Sequence, residues 1–142
     1  MSLSYTRISN KKFYKILQSM GVLAPGGKIT RKQVYAIFNL NVSALITHAE
    51  CSQLKTMLIG PIDYVRRNLL SQGMYFAQEK SDFRVYALEE NKHAVRAYAR
   101  RARNSCIRGQ ILNDNTATKY MKFKKNNTAI FDKCIDLLSN VK

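Results

Sequence analysis

The chain is poor in negative charge. Its 142 residues carry nine Asp and Glu against 24 Lys and Arg, a formal net charge of +15 at pH 7. So large a surplus in so short a chain calls for a polyanion as its counterpart, and nucleic acid is the usual one. Cysteine is scarce as well. Cys51, Cys106 and Cys134 are an odd number without CxxC spacing, which argues against a disulfide framework and for a reducing, cytoplasmic compartment. No apolar run approaches the roughly 18 residues of a spanning helix, so no membrane partner is expected. Met1 to Asn10 is polar and has no signal-peptide core.

Recognisable chemistry is missing too. The chain holds no G-x-x-x-x-G-K-[ST], H-E-x-x-H or G-x-S-x-G. Its acids form no D-x-D or E-x-x-E cluster beyond the adjacent Glu89 and Glu90, which argues against a two-metal nuclease centre. His48 and Cys51 are spaced like half of a metal site, yet no second pair follows and His93 stands alone. The expectation is a protein without enzymatic activity, metal or cofactor, with Cys51 on an apolar helix face.

What is present is unevenly placed. Seven basic residues and no acid lie between Met1 and Ala49, and ten basic residues against the single Asp114 lie between Asn91 and Lys125. The acids gather between Glu50 and Glu90, with Asp132 and Asp136 near the end. Two cationic stretches flanking a balanced middle suit a bound nucleic-acid backbone.

Hydrophobic spacing predicts the elements. Ser9 or Asn10 caps a helix bearing Phe13, Ile16, Leu17 and Met20, which ends at Gly21. Ala24-Pro25-Gly26-Gly27 is a turn. Thr30 caps a second helix with Val34, Ile37 and Phe38 on one face, and Leu45-Ile46 suits a brief strand. Thr47-His48-Ala49-Glu50 reads as a capping box, starting a helix that ends near Ile59-Gly60. Pro61 then opens a further helix to Gln72, with Ile62, Val65 and Leu69 inward and Gly73 closing it. Met74 to Glu79 and Phe83 to Leu88 alternate with period two and read as a hairpin joined by Lys80-Ser81-Asp82. Asn91 caps a long Ala/Arg helix to about Leu112. A basic stretch from Lys119 to Lys125 precedes a last amphipathic helix starting at Thr128.

Two short helices at a Gly-Pro turn followed by a tight hairpin, LITHAECSQLKTMLIGPIDYVRRNLLSQGMYFAQEKSDFRVYAL over Leu45 to Leu88, resemble the winged helix-turn-helix family of nucleic-acid-binding domains. In that family a helix and a short strand precede this unit, and Thr30 to Ile46 is the expected source of both. The fold class expected is mainly α with a small β-hairpin. Residues 1–29 would form an N-terminal helical extension, 30–90 the winged core, and 91–142 the basic helix, basic loop and terminal helix.

The resemblance implies that Pro61 to Gln72 lies in a major groove while Lys80 to Arg84 touch the flanking backbone. Tyr64, Arg66, Arg67 and Asn68 then face outward with Asp63. Arg reads guanine and Asn reads adenine through paired hydrogen bonds, so Arg66, Arg67 and Asn68 are candidates for base reading. Packing is the first expectation for Tyr64. Lys80 and Arg84 are the candidate wing contacts. At 100° per residue Arg96, Arg100 and Arg103 form one stripe within about 60°, either a polyanion contact or a solvated face. Lys122, Lys124 and Lys125, interleaved with Tyr120 and Phe123, either hold backbone and stack bases or form a basic loop.

The function expected is duplex DNA binding, specific or general, by a transcriptional regulator or a phage-type DNA-binding factor associated with the nucleoid. The alternative is a small basic protein–protein interaction module, such as a phage-type inhibitor that blocks a host nucleic-acid-handling protein. The terminal helix serves either a homodimer or the chain's own core.

Overall fold

The computed structural model describes residues 4–40, 42, 47–121 and 123–140. The chain divides into two compact units, Met1–Asn91 and Lys92–Lys142.

In the first unit the order is α1 (Asn10–Ser19), β1 (Lys28–Ile29), α2 (Arg31–Ile37), α3 (His48–Ser71), β2 (Phe76–Glu79) and β3 (Asp82–Val85). Local chemistry sets the helix starts. The Ser9 hydroxyl accepts from the Lys12 N–H at 3.1 Å. Thr30 and Gln33 form a reciprocal capping box at α2. Thr47 and Glu50 do the same at α3, with the Thr47 N–H donating to Glu50 Oε2 at 2.9 Å and the Glu50 N–H to Thr47 Oγ1 at 3.2 Å. Each box satisfies amide donors that a helix start otherwise leaves open. Gly21 and Gly73 close α1 and α3 at φ +72° and +74°, a conformation costly for any residue with a Cβ.

The strands form one antiparallel sheet in the order β1-β3-β2, with Ile29 opposite Phe83 and Phe76 opposite Val85. The core lies among α1, α2, α3 and this sheet. Phe13 stacks on Phe38 at 5.3 Å between ring centres and Phe76 on Phe83 at 5.5 Å, with Leu17, Val34, Val65 and Leu69 buried around them. The helix expected as an N-terminal extension is therefore part of this core, with Phe13 and Leu17 buried in the same cluster as residues of α2, α3 and the sheet.

The expected turn at Ile59-Gly60-Pro61 is not a turn. α3 runs unbroken for 24 residues with Pro61 inside it. Two features outweigh proline's usual effect. Gly60 has no Cβ to collide with the proline ring, which removes part of the clash that keeps pre-proline residues out of helix. The buried stripe Leu54, Leu58, Pro61, Ile62, Val65 and Leu69 also continues in register across the site, so splitting the helix would expose half of it. Of the helix and strand expected from Thr30 to Ile46, the helix is α2, capped by Thr30 as expected, and the strand described ahead of α3 is β1, just before Thr30. The strand expected at Leu45-Ile46 lies outside the described residues.

In the second unit α4 (Asn91–Asn115) and α5 (Lys124–Ser139) run antiparallel, with Asn113 bonded to Thr128 and Gln110 to Asp132. α4 runs three residues past the expected end, and α5 starts at Lys124, four residues before Thr128. Asn113, only 2% exposed, explains the extension. Its amide donates to Lys124 O at 3.2 Å and Thr128 Oγ1 at 3.0 Å, and its carbonyl accepts from Asn127 Nδ2 at 3.3 Å. A fully bonded buried amide fixes the register of the two helices. One turn back along α4, Gly109 faces the Phe131 ring so closely that a Cβ would meet it at 2.7 Å. Cys106 comes next, beside Cys134. Among the described residues no helix is long and apolar enough to cross a membrane.

Candidate nucleic-acid interface

The sheet side and the outer side of α3 differ in what they hold. Ser52, Thr56, Ile59, Asp63 and Arg67 face outward, and Ile59 is 66% exposed. Of the three residues expected to read bases, Arg67 alone shares that face. Arg66 turns toward the sheet, where its Nε donates to Phe76 O at 3.3 Å. Arg67 points out and pairs with Asp63 at 3.0 Å, both side chains exposed. Asn68 sits on the α1 side, its amide donating to Tyr64 O at 2.8 Å. Tyr64 packs edge-on against Tyr14 at 6.0 Å, the packing role first expected of it. Spacing alone had grouped Arg66, Arg67 and Asn68. Consecutive residues stand 100° apart, so three in a row span more than half of a helix circumference.

At the hairpin, Lys80 is exposed in the two-residue turn at φ +55°. Arg84 has another occupation. Its guanidinium donates to both Glu90 oxygens, at 2.8 and 3.0 Å, and to Glu79 at 2.8 Å, while lying 4.5 Å from the Tyr86 ring centre. The Glu90 bonds, then the Glu79 bond, hold Arg84 charged well above the ordinary guanidinium range. With its side chain only 22% exposed, Arg84 is a structural lock between β3 and the 3-10 turn Leu88–Glu90. Replacing it strands two carboxylates. Arg84→Ala is expected to cost about 2 kcal/mol of stability, measurable by urea unfolding, since charge-assisted hydrogen bonds contribute about 1.5–3 kcal/mol each and the carboxylates partly recover water.

Two residues that the sequence did not single out complete the picture. A cleft of about 420 Å³ opens between α2, α3 and the hairpin, lined by Arg31, Lys55 and Arg66. The one carboxylate on its wall, Asp63, is the one paired with Arg67. The Arg31 Nε is buried and has no hydrogen-bond partner among the described residues. These cations are separated by up to 35 positions, and only the fold assembles them. No periodicity signals such a set.

In the second unit Arg96 and Arg100 are exposed, whereas Arg103 is half-buried with its Nε enclosed and unpartnered among the described residues. Lys124 donates to Asp114 O at 3.0 Å and Thr116 O at 2.8 Å, so its charge serves the C-terminal end of α4. Lys125 is exposed, and Lys122 lies outside the described residues. Tyr120 and Phe123 stand out at 74% and 73% exposure, with the Lys119 ammonium 4.8 Å from the Tyr120 ring centre. All three cysteines are free thiols, and burial, with a smaller contribution from Cys134, pushes the Cys106 thiol up. Among the described residues no group of three or more His, Cys, Asp or Glu is arranged to hold a metal.

No family model, curated protein or solved structure matches the chain.

Proposed function

We propose that the protein binds duplex nucleic acid, DNA foremost, as a winged-helix-type module. Helix, strand, helix, helix and hairpin follow one another in the first unit in the order this class requires, and a third strand, β1, widens the wing. The observation that carries the reading is the fate of the acids. Glu50 is spent on the α3 cap and Asp82 on the Arg31 N–H of α2. Glu79 and Glu90 are spent on Arg84, Asp63 on Arg67, and Asp132 on the Gln110 amide. Few carboxylates are left to neutralise the Lys and Arg surplus, which therefore awaits an outside anion. The N-terminal half of α3, with Ser52, Lys55 and Thr56 accessible, is the stretch that would enter a groove, because recognition helices touch bases from their N-terminal end. Arg66 flanks it, Lys80 reaches backbone from the hairpin, and Arg96 and Arg100 add a cationic stripe. Arg84 leaves the list of contacts.

One observation favours a second reading, a basic protein–protein interaction module such as a phage-type inhibitor. α5 has no buried residue, and Ile130 and Leu137 are 59% and 68% exposed, an apolar display that suits a protein surface.

Titration of the full chain into a labelled random duplex decides between them. The nucleic-acid reading expects a Kd of about 1 µM or tighter near 50 mM salt, below the usual non-specific range at physiological salt. No binding at low salt, together with a defined protein recovered on the chain as bait, favours the interaction module.

A further inference from the structure

We infer that the cleft bounded by Arg31, Lys55 and Arg66 is a phosphate-binding site that takes one nucleotide unit. The charges come first. Two guanidinium groups and one ammonium converge on the cleft from α2 and α3, and among the described residues no ion pair engages any of them. The nearby carboxylates are committed elsewhere: Asp63 faces Arg67 outward, and Asp82 accepts the Arg31 backbone N–H at 3.0 Å. The enclosed Arg31 Nε is the sharper sign. A buried donor without an acceptor is costly, and Arg31 lines the cleft, so an anion bound there is the inferred means of meeting that cost. Arg66 is held in place by its Nε bond to Phe76 O, which leaves the outer edge of its fork for a ligand.

A phosphate fits these donors better than a carboxylate does. It offers more acceptor oxygens and up to two charges to three cations, and arginine forks match its geometry. Beside Asp63 and Gln78, the rest of the wall is apolar, formed by Leu58, Ile59, Ile62 and Phe83, and a volume near 420 Å³ lies in the range of small-molecule sites. An inorganic ion would leave that wall uncovered. A sugar and base attached to the phosphate would cover it. The nucleotide comes either from a bound strand or from the free pool. The first source rests on the nucleic-acid reading above, and the second does not.

Three probes on the full chain test the site: inorganic phosphate, thymidine 5′-monophosphate and a labelled 20-base-pair duplex, the first two by calorimetry and the last by anisotropy. The variants are Arg31→Gln and Lys55→Ala, with Lys133→Ala as a control of equal charge change on exposed α5 and thermal unfolding as the check of fold. Loss of one charge-assisted contact is expected to weaken the ligand by about tenfold or more. Mononucleotide binding stronger than phosphate binding, lost in Arg31→Gln and Lys55→Ala and kept in Lys133→Ala, establishes the free-nucleotide source. Failure of the mononucleotide to bind, with duplex affinity falling about tenfold in the two cleft variants and little in the control, establishes a strand nucleotide as the occupant. If duplex binding persists and all three variants behave alike with every probe, the cleft assignment is overturned while the nucleic-acid reading stands. If the cleft-dependent mononucleotide binding occurs without any duplex binding, the nucleic-acid reading falls and the cleft assignment stands. Because Lys55 is exposed, Lys55→Ala keeps the test valid should Arg31→Gln unfold.

Discussion

Gly27→Ala should abolish the native fold of the first unit, or destabilise it by about 4 kcal/mol, the exceptional range reserved for strain and clash that the surroundings cannot relieve. A Cβ on Gly27 would lie 2.0 Å from Val22 O, 2.7 Å from Val22 C and 2.9 Å from Ala24 O. All are backbone atoms, so no side-chain rotation makes room. The backbone cannot drift away either. Gly27 N donates to Ala24 O at 2.8 Å, Gly27 O accepts from Val85 N at 2.8 Å, and Gly26 N donates to Val85 O at 3.0 Å. The turn is clasped on β3, and moving it would unpair the edge that β1 shares with the wing. Gly26→Ala is the internal comparison. Gly26 has φ +82° but open space around its missing Cβ, so alanine there meets only the left-handed penalty of about 1–2 kcal/mol. Thermal and urea unfolding of both variants reads the difference. Equal losses would mean that backbone conformation, not contact with Val22, makes Gly27 necessary.

That pair also marks how far the sequence could be read. Ala24-Pro25-Gly26-Gly27 announces a turn, and the turn is there, but nothing in the four letters says which glycine touches another part of the chain. The signals that were legible are the local ones. Caps at Ser9, Thr30 and Thr47 and closures at Gly21 and Gly73 depend on residues within three or four positions, and the hairpin shows itself by alternation. The misreading at Gly60-Pro61 has the same origin. Proline's local preference favours a helix start, whereas the outcome was decided by an apolar stripe that matters only when α1 and the sheet are packed against it. The site was less legible than the fold. Arg84 resembled a wing cation because its partners, Glu79 and Glu90, reach it through a strand pairing and a 3-10 turn. Arg31 meets Lys55 and Arg66 across two helices, and the start of α5 depends on a buried Asn113 eleven positions before Lys124.

Raising monovalent salt from about 50 mM to about 200 mM should weaken duplex binding by about a thousandfold if some six phosphates are neutralised, because log K falls with log salt at a slope of about −0.9 per phosphate. The slope tests the origin of the affinity, since released counterions, and not base contacts, set it. It also sorts individual residues. Arg67 already carries Asp63 as its counterion at 3.0 Å, and the Lys124 ammonium is tied to Asp114 O and Thr116 O, so neither side chain is free to take the place of a cation condensed on DNA. Arg67→Ala and Lys124→Ala should therefore leave the slope where it is, whatever they do to stability. Arg96 and Arg100 are exposed, and no ion pair engages them among the described residues. Arg96→Ala and Arg100→Ala should each make the slope shallower by about one and weaken all duplex sequences alike, as phosphate contacts do. Binding that is tight yet insensitive to salt would overturn the electrostatic account, for then the surplus charge would not be what holds the duplex. A shallower slope in Arg67→Ala, with none in Arg100→Ala, would move the contact surface from the α4 stripe to the outer face of α3.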